Sequence, residues 1–538
     1  MTRTGPPITR LVMGLGVPLF SGGDASSRLS KGCPEAACVR PKELTATRVI
    51  RLWSTAAVVF IWLASPAGGQ DQRPARDTTP KLADSTIQRM KAEQTPLPID
   101  PRERIADDSD GAAAKKVLGD VRLRGDDVLW KALRRSANQA VRAQLIELIA
   151  PSGITSRTIA QRLRTARDPG ERAALIRALG EFTESQLPQS ERQSILAILL
   201  QLYQNDPDPE VHSSVGWLVG SAESDSGYHR ADWKQMSAIG ALDSALGKTP
   251  PNGREWRVTV MGHTMMAIRP ATTFSMGAPL SEARRETNEL PHRVNIPRAF
   301  AIASKEVSVA QFQRFLSETG RSEAWLKATR ERWPNNPDPG KFVSQPRRAQ
   351  FAVTWYEAAQ YCNWLSAKAG IPKDQWVYPD SIGPGMRLPA NYLHRTGFRL
   401  PTEPEWEFAA RAGTSTAHFF GDGVKLLGHY AWYFVNSDLH GWPVATKEPN
   451  QFGLFDMYGN AWEWVNDRWV DYADRGAIST DTEDTILVVT DDTPRVRRGG
   501  SWSYDKETTR SAHRGSPGGY RPPDRKDSVG FRVAQTLK

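Results

Sequence analysis

Two different periodicities divide the chain. Between Asp126 and Ala222 apolar residues recur near helical spacing, in Val141–Ala150, Glu171–Gly180 and Ser194–Tyr203. Two runs in this region repeat a design: Asp168-Pro and Asp208-Pro each open a run that closes on a Leu/Val–Gly pair. Proline suits a first helical turn, and glycine suits the end. The two starts lie about 40 residues apart, a spacing found in paired-helix solenoids, so the pattern predicts either a short helical array or a small helical bundle. After Met261 the pattern changes. Short alternating strands such as "AWEWV" (Ala461–Val465) are separated by long loops. Three helices announce themselves by capping boxes: Ser308 with Gln311, Thr354 with Glu357, and Thr402 with Glu405.

The densest stretch is Asn450–Asp467, "NQFGLFDMYGNAWEWVND". Gly453 and Gly459 interrupt it and favour tight turns. In the strand that follows, Trp462 and Trp464 share one face and form an aromatic anchor. Asp456, Gly459, Ala461 and Glu463 could aim two carboxylates and two carbonyls at one point, an all-oxygen set suited to Ca2+. Spacing equally allows a plain turn and core strand, with Asp456 and Glu463 only hydrogen-bonded.

Composition and charge add a leader and linkers. Arg48 and Arg51, the apolar run Leu52–Ala64, and "SPAGGQ" form an export-signal pattern in residues 1–70. The run is shorter than a membrane span, so it reads as a signal, or as an anchor attaching the chain to a membrane. The protein is expected outside the cytoplasm. Net charge is +10, but residues 1–65 hold eight Lys/Arg against three Asp/Glu. The excess is therefore no nucleic-acid footprint. Residues 71–120 read as a disordered linker, 121–225 as HEAT-like helical repeats offering a surface to a protein or peptide partner, and 226–255 as a second linker. Of three cysteines, Cys33 and Cys38 precede the apolar run, leaving Cys362 in a helical pattern as a small core residue. That excludes a disulfide framework and a cysteine metal cluster beyond the leader. Glu289 and His292 precede a strand and read as surface or hairpin residues.

Four collinear motifs carry a family resemblance. They are "RLPTEPEWEFAARAGT" (Arg399–Thr414), the 450–467 stretch, "RRGGSWSYDKETTRSAHR" (Arg497–Arg514) and "VGFRVA" (Val529–Ala534). Residues 256–538 resemble the formylglycine-generating enzyme, or sulfatase-modifying factor, superfamily. The resemblance implies an α+β, C-type-lectin-like fold with little regular secondary structure. It also implies a calcium site at Asp456, Gly459, Ala461 and Glu463. In the family, two cysteines just after the "GGS" turn bind copper and activate oxygen. Here Tyr504 and Thr509 stand at those positions, and neither ligates Cu(I). Copper chemistry is therefore not expected, while an iron site built from distant residues is left open. The altered ligand face is expected at Tyr504, Asp505, Glu507, Thr509, Arg510 and Arg514. Arg510, Arg514, Arg525 and Arg532 either line a cleft or pair with carboxylates beneath the loops. The chain thus reads as an exported binding or scaffold module without formylglycine-generating activity. The alternative is a divergent metal-dependent oxidoreductase of the same superfamily.

Overall fold

The computed structural model describes residues 100–220, 231–332, 344–472 and 478–538. These fall in one compact unit. The export-signal segment 52–64 lies outside the described residues. Among the described residues no helix is long and apolar enough to cross a membrane.

The first part is helical: α1 (Pro101–Arg124), α2 (Asp127–Ala132), α3 (Gln139–Ile149), α4 (Ser156–Thr165), α5 (Pro169–Leu179), α6 (Gln189–Asn205), α7 (Pro209–Gly220) and α8 (Met236–Leu246). Two linker boundaries need correction. Residues 101–120, expected to be disordered, lie within α1. Its start is fixed by Asp100 and Glu103 in a reciprocal capping box and by Pro101. The helix was hidden because it has almost no apolar stripe, burying only Glu103 and Ala114. Likewise α8 occupies part of 226–255. The two Asp-Pro starts form as expected: Asp168 caps α5, and Asp208 Oδ1 accepts from the Glu210 and Val211 amides of α7.

The second part is built on a five-stranded antiparallel sheet. Its order is Trp256–Val258, Thr264–Ile268, Phe300–Ala303, Ala534–Thr536, Phe398–Arg399. Chain-end residues thus sit mid-sheet beside residues 300–303. A second sheet holds Trp462–Arg468 between Arg495–Arg498, antiparallel, and Val529–Gly530, parallel. All three expected capping boxes form, at the starts of α9 (Val309–Glu318), α11 (Trp355–Lys368) and α12 (Glu403–Arg411); α10 (Ser322–Arg332) follows α9. Cys362 is buried in α11 as a free thiol, and burial pushes its pKa up. Trp462 and Trp464 are both buried in one apolar cluster, as their shared face requires.

The helical part and the sheet part share a core. Val211, Val215 and Trp217 of α7 lie in the same cluster as Trp256, Leu454, Phe455 and Met457. His212 stacks between Tyr203 and Trp256, and Trp256 Nε1 donates to Asp206 O at 2.8 Å. Gly453 takes φ +73°, and a Cβ there would crowd the Pro209 carbonyl.

Candidate functional site

The organising stretch folds as a turn into a buried strand. Gly459 has φ +76°, and any side chain there would overlap the Trp432 backbone. Asp456 and Asn460 also take left-handed φ, near +53° and +52°. That conformation is tolerated by Asp and Asn better than by branched residues. Three carboxylates gather behind this turn. Glu306 accepts from the Ala461 amide at 3.0 Å and from Asn460 Nδ2 at 2.9 Å. Glu463 accepts twice from Arg532, at 2.6 Å to each oxygen, and from Trp406 Nε1 at 2.8 Å. Asp456 Oδ2 accepts from the Ala445 amide at 2.7 Å, while its buried Oδ1 has no hydrogen-bond partner. Burial, then repulsion from Asp456 and Glu463, pushes the Glu306 carboxyl well above its usual range. Burial also pushes Asp456 up to about 6.

This differs from the oxygen cage read from spacing. Glu463 is already paired with Arg532, so a cation there would share that carboxylate with the guanidinium. Only the orphaned Asp456 Oδ1 keeps the character of an unsatisfied ligand.

The expected ligand face is likewise changed. The turn Gly499–Gly500 needs positive φ at both positions, and at Gly500 a Cβ would meet the Thr508 backbone and hydroxyl. Tyr504 is 41 % exposed and sits edge-on to Trp462, 5.6 Å between ring centres. Thr509 is fully buried, its hydroxyl donating to Lys506 O at 2.8 Å. Asp505 caps a single 3-10 turn, Lys506–Thr508. Glu507 lies 3.7 Å from Arg284. Arg510 is clamped by Glu282 at 2.5 Å and Glu289 at 2.8 Å. Burial alone would lower its pKa, yet those carboxylates carry it above the ordinary value. Arg514 pairs with Glu403 at 2.6 Å and lies over the rings of Tyr472 and Trp469. Arg525 pairs with Glu357 at 2.5 Å. The four arginines therefore hold the loops by ion pairs, and the cleft-lining role is set aside. Glu289 and His292, read as surface or hairpin residues, are both buried: His292 opens the strand His292–Asn295, which pairs antiparallel with Phe274–Met276, and packs edge-on against Tyr472, while Glu289 faces Arg510.

Two features were not read from the sequence. One is a cavity of about 150 Å3 lined by Arg348, Phe351, His440, Trp502 and Asp527, next to the "GGS" turn. Burial lowers the pKa of both Arg348 and His440. Nothing in the local spacing of these residues signals it, because they come from four separate loops. The other is the packing of α1 against this part of the domain: Glu103 accepts from Lys506 Nζ at 3.1 Å, and Asp107 accepts from the Val424 and Lys425 amides.

Among the described residues, two groups bring three or more side-chain metal-ligand atoms together. In the first, Glu286, Glu289 and His513, the Gly515 amide donates to His513 Nδ1 at 3.1 Å. That leaves the ring proton on Nε2, 3.4 Å from Glu286, and this hydrogen bond holds the Glu286 carboxyl below its usual range. An imidazole–carboxylate hydrogen bond accounts for the group. The second joins Glu147, Glu181, His429 and Glu448.

A buried "GGS" turn, a loop-rich domain on an antiparallel sheet and a Trp-anchored central strand define a formylglycine-generating-enzyme-like domain behind a helical region. The family model for the sulfatase-modifying factor enzyme 1-like domain matches residues 257–537, and the chain belongs to that family. A formylglycine-generating enzyme of Mycobacterium tuberculosis is 30 % identical over 237 residues, 38 % of this chain and 73 % of that protein. The serine/threonine-protein kinase pkn1 of Chlamydia pneumoniae is 28 % identical over 282 residues, 51 % of this chain and 38 % of that protein. The solved structure of PvdO from Pseudomonas aeruginosa covers 52 % of this chain and 95 % of its own, at 26 % identity and a TM-score of 0.38.

Proposed function

We propose that this protein is an exported binding or scaffold module that does not generate formylglycine. The observation that carries this reading is the pair of residues at the copper-ligand positions. Tyr504 is exposed, Thr509 is buried with its hydroxyl committed, and Cys362, the free thiol of the described residues, is buried within α11. Soft thiolates are what Cu(I) chemistry needs. Relatives that match this domain include formylglycine-generating enzymes and a serine/threonine-protein kinase, so the domain occurs in proteins of more than one activity. Ligands would be met at Tyr504 and at the Trp502–Arg348 cavity, and a protein or peptide partner at the helical region. Incubation with a sulfatase-type cysteine peptide, with and without copper, should give no aldehyde by mass spectrometry. Aldehyde above the no-enzyme control overturns the reading.

Calcium at Asp456, Gly459, Ala461 and Glu463 is the finer metal reading. The orphaned Asp456 Oδ1 supports it, and any ion there must share Glu463 with Arg532. The oxidoreductase reading draws on the carboxylate–imidazole group of Glu147, Glu181, His429 and Glu448. Stoichiometric iron or copper, together with turnover of a peptide or small molecule, would favour it.

A further inference from the structure

Glu147 lies near the C-terminal end of α3, Glu181 just after α5, His429 in the short helix Leu427–Tyr430, and Glu448 just before the organising stretch. Two residues thus come from the helical region and two from the family domain. Three carboxylate oxygens and one imidazole nitrogen all lie within 4.8 Å of one another. His429 Nδ1 is 2.8 Å from Glu147 Oε1 and 4.0 Å from Glu448 Oε1. Glu147 Oε1 nevertheless accepts no hydrogen bond. Neither oxygen of Glu448 accepts one, although that side chain is only 1 % exposed. The Tyr430 hydroxyl beside them is buried and also has no hydrogen-bond partner.

Charge sharpens the point. The nearest guanidinium, Arg177, lies 3.6 Å from Glu448 but is committed to Glu210 at 3.0 Å. Three carboxylates thus face one shared guanidinium, with Glu147 and Glu181 hydrogen-bonded to each other, in an interior where unpaired charge is costly. Donors on opposite sides of an ion bound at about 2.1 Å stand about 4.2 Å apart. Small side-chain shifts would therefore close the cluster around a metal.

We propose that Glu147, Glu181, His429 and Glu448 bind one first-row divalent transition-metal cation, which clamps the helical region to the family domain. Imidazole combined with carboxylates suits zinc, manganese or iron(II) better than calcium or magnesium. His429 and Glu147 are 21 % and 13 % exposed, which gives the ion a way in. The proposal is independent of whether the domain is catalytic.

The test uses the whole chain in excess calcium, so that any calcium-only site stays filled. Protein stripped with phenanthroline, incubated with Zn2+ and desalted should hold about one zinc per chain. Stripping should lower the Tm, and zinc or Mn2+ should restore it. Co2+ in place of zinc should give visible d–d bands. Glu448→Gln and His429→Gln should each weaken zinc binding at least tenfold, the loss typical when a metal site is disturbed. Glu286→Gln, in the other His–Glu group, should bind like the parent. If Glu448→Gln does not fold, the partly exposed His429→Gln decides. Absence of stoichiometric metal, or unchanged affinity in His429→Gln, overturns the proposal and leaves the carboxylates sharing protons.

Discussion

Arg532→Met tests whether the organising stretch is held by an ion pair. Arg532 and Glu463 are both fully buried. The guanidinium makes two contacts to Glu463 at 2.6 Å and also donates to the carbonyls of Phe455 at 2.9 Å, Ala303 at 3.2 Å and Asp456 at 3.3 Å. Methionine keeps much of the volume and none of the donors. Glu463 would keep only the Trp406 hydrogen bond, with its charge buried and unmatched. Removing one partner of a buried pair costs about 3–5 kcal/mol. The abandoned carbonyls, at about 1 kcal/mol each, push the loss to the upper end. At about 2 °C per kcal/mol in a large domain, Tm should fall by about 10 °C. Adding Glu463→Gln removes the stranded charge while keeping an acceptor for Trp406. The double variant should then recover at least about 2 kcal/mol relative to the sum of the singles. Urea and thermal melts at fixed calcium measure all four corners of the cycle. Strict additivity, or a single variant melting within 2 °C of the parent, would refute the argument.

Two further outcomes follow from buried titratable groups. Burial holds His418 at about 3, stacked on Phe420 and edge-on to Tyr458. The unfolded chain takes up this proton below about pH 6.5 and the folded one does not, so stability is lost as pH falls. His418→Phe should gain on the parent by about 2 kcal/mol between pH 7.5 and pH 5; a constant difference across that range would sink the assignment. Calcium added to chelated protein should raise Tm, by about 2.7 kcal/mol equivalent at 100 times Kd. Glu463→Gln should remove most of that response, and an absent response shows that Asp456 and Glu463 act only within the protein.

What could be read from the sequence follows a physical division. Local chemistry was legible: Ser308/Gln311, Thr354/Glu357 and Thr402/Glu405 closed as capping boxes because each lies within a single turn. Trp462 and Trp464 were legible because strand alternation is a period-two rule. Long-range pairing was not. Arg532 and Glu463 are 69 residues apart, and Arg510 meets Glu289 across 221. From sequence, an arginine in a motif reads equally well as a ligand or as a strut. The α1 helix was missed for the opposite reason. Its polar surface resembles a linker, and its support comes from contacts such as Lys506–Glu103, 403 residues away.

The helical region and the family domain depend on one shared core. Trp256 is 1 % exposed because His212 of α7 covers one face, 3.6 Å between ring centres, and its Nε1 is bonded to Asp206. Ser213 donates to Gly453 O at 2.8 Å, and Gln451 donates to Gln139 at 2.8 Å, so α7 and α3 both rest on the organising stretch. Phe455 and Leu454 lie in the same cluster as α5 and α7. Uncovering even two large apolar side chains costs about 3–6 kcal/mol. A whole domain is typically stable by only about 5–15 kcal/mol. A chain beginning at residue 250 should therefore melt at least about 6 °C below the full chain, and should bind a hydrophobic dye or aggregate. Supplying residues 100–249 in trans should restore part of the loss. If the shortened chain melts with the full one and binds no dye, the shared core contributes nothing and the two parts are independent after all.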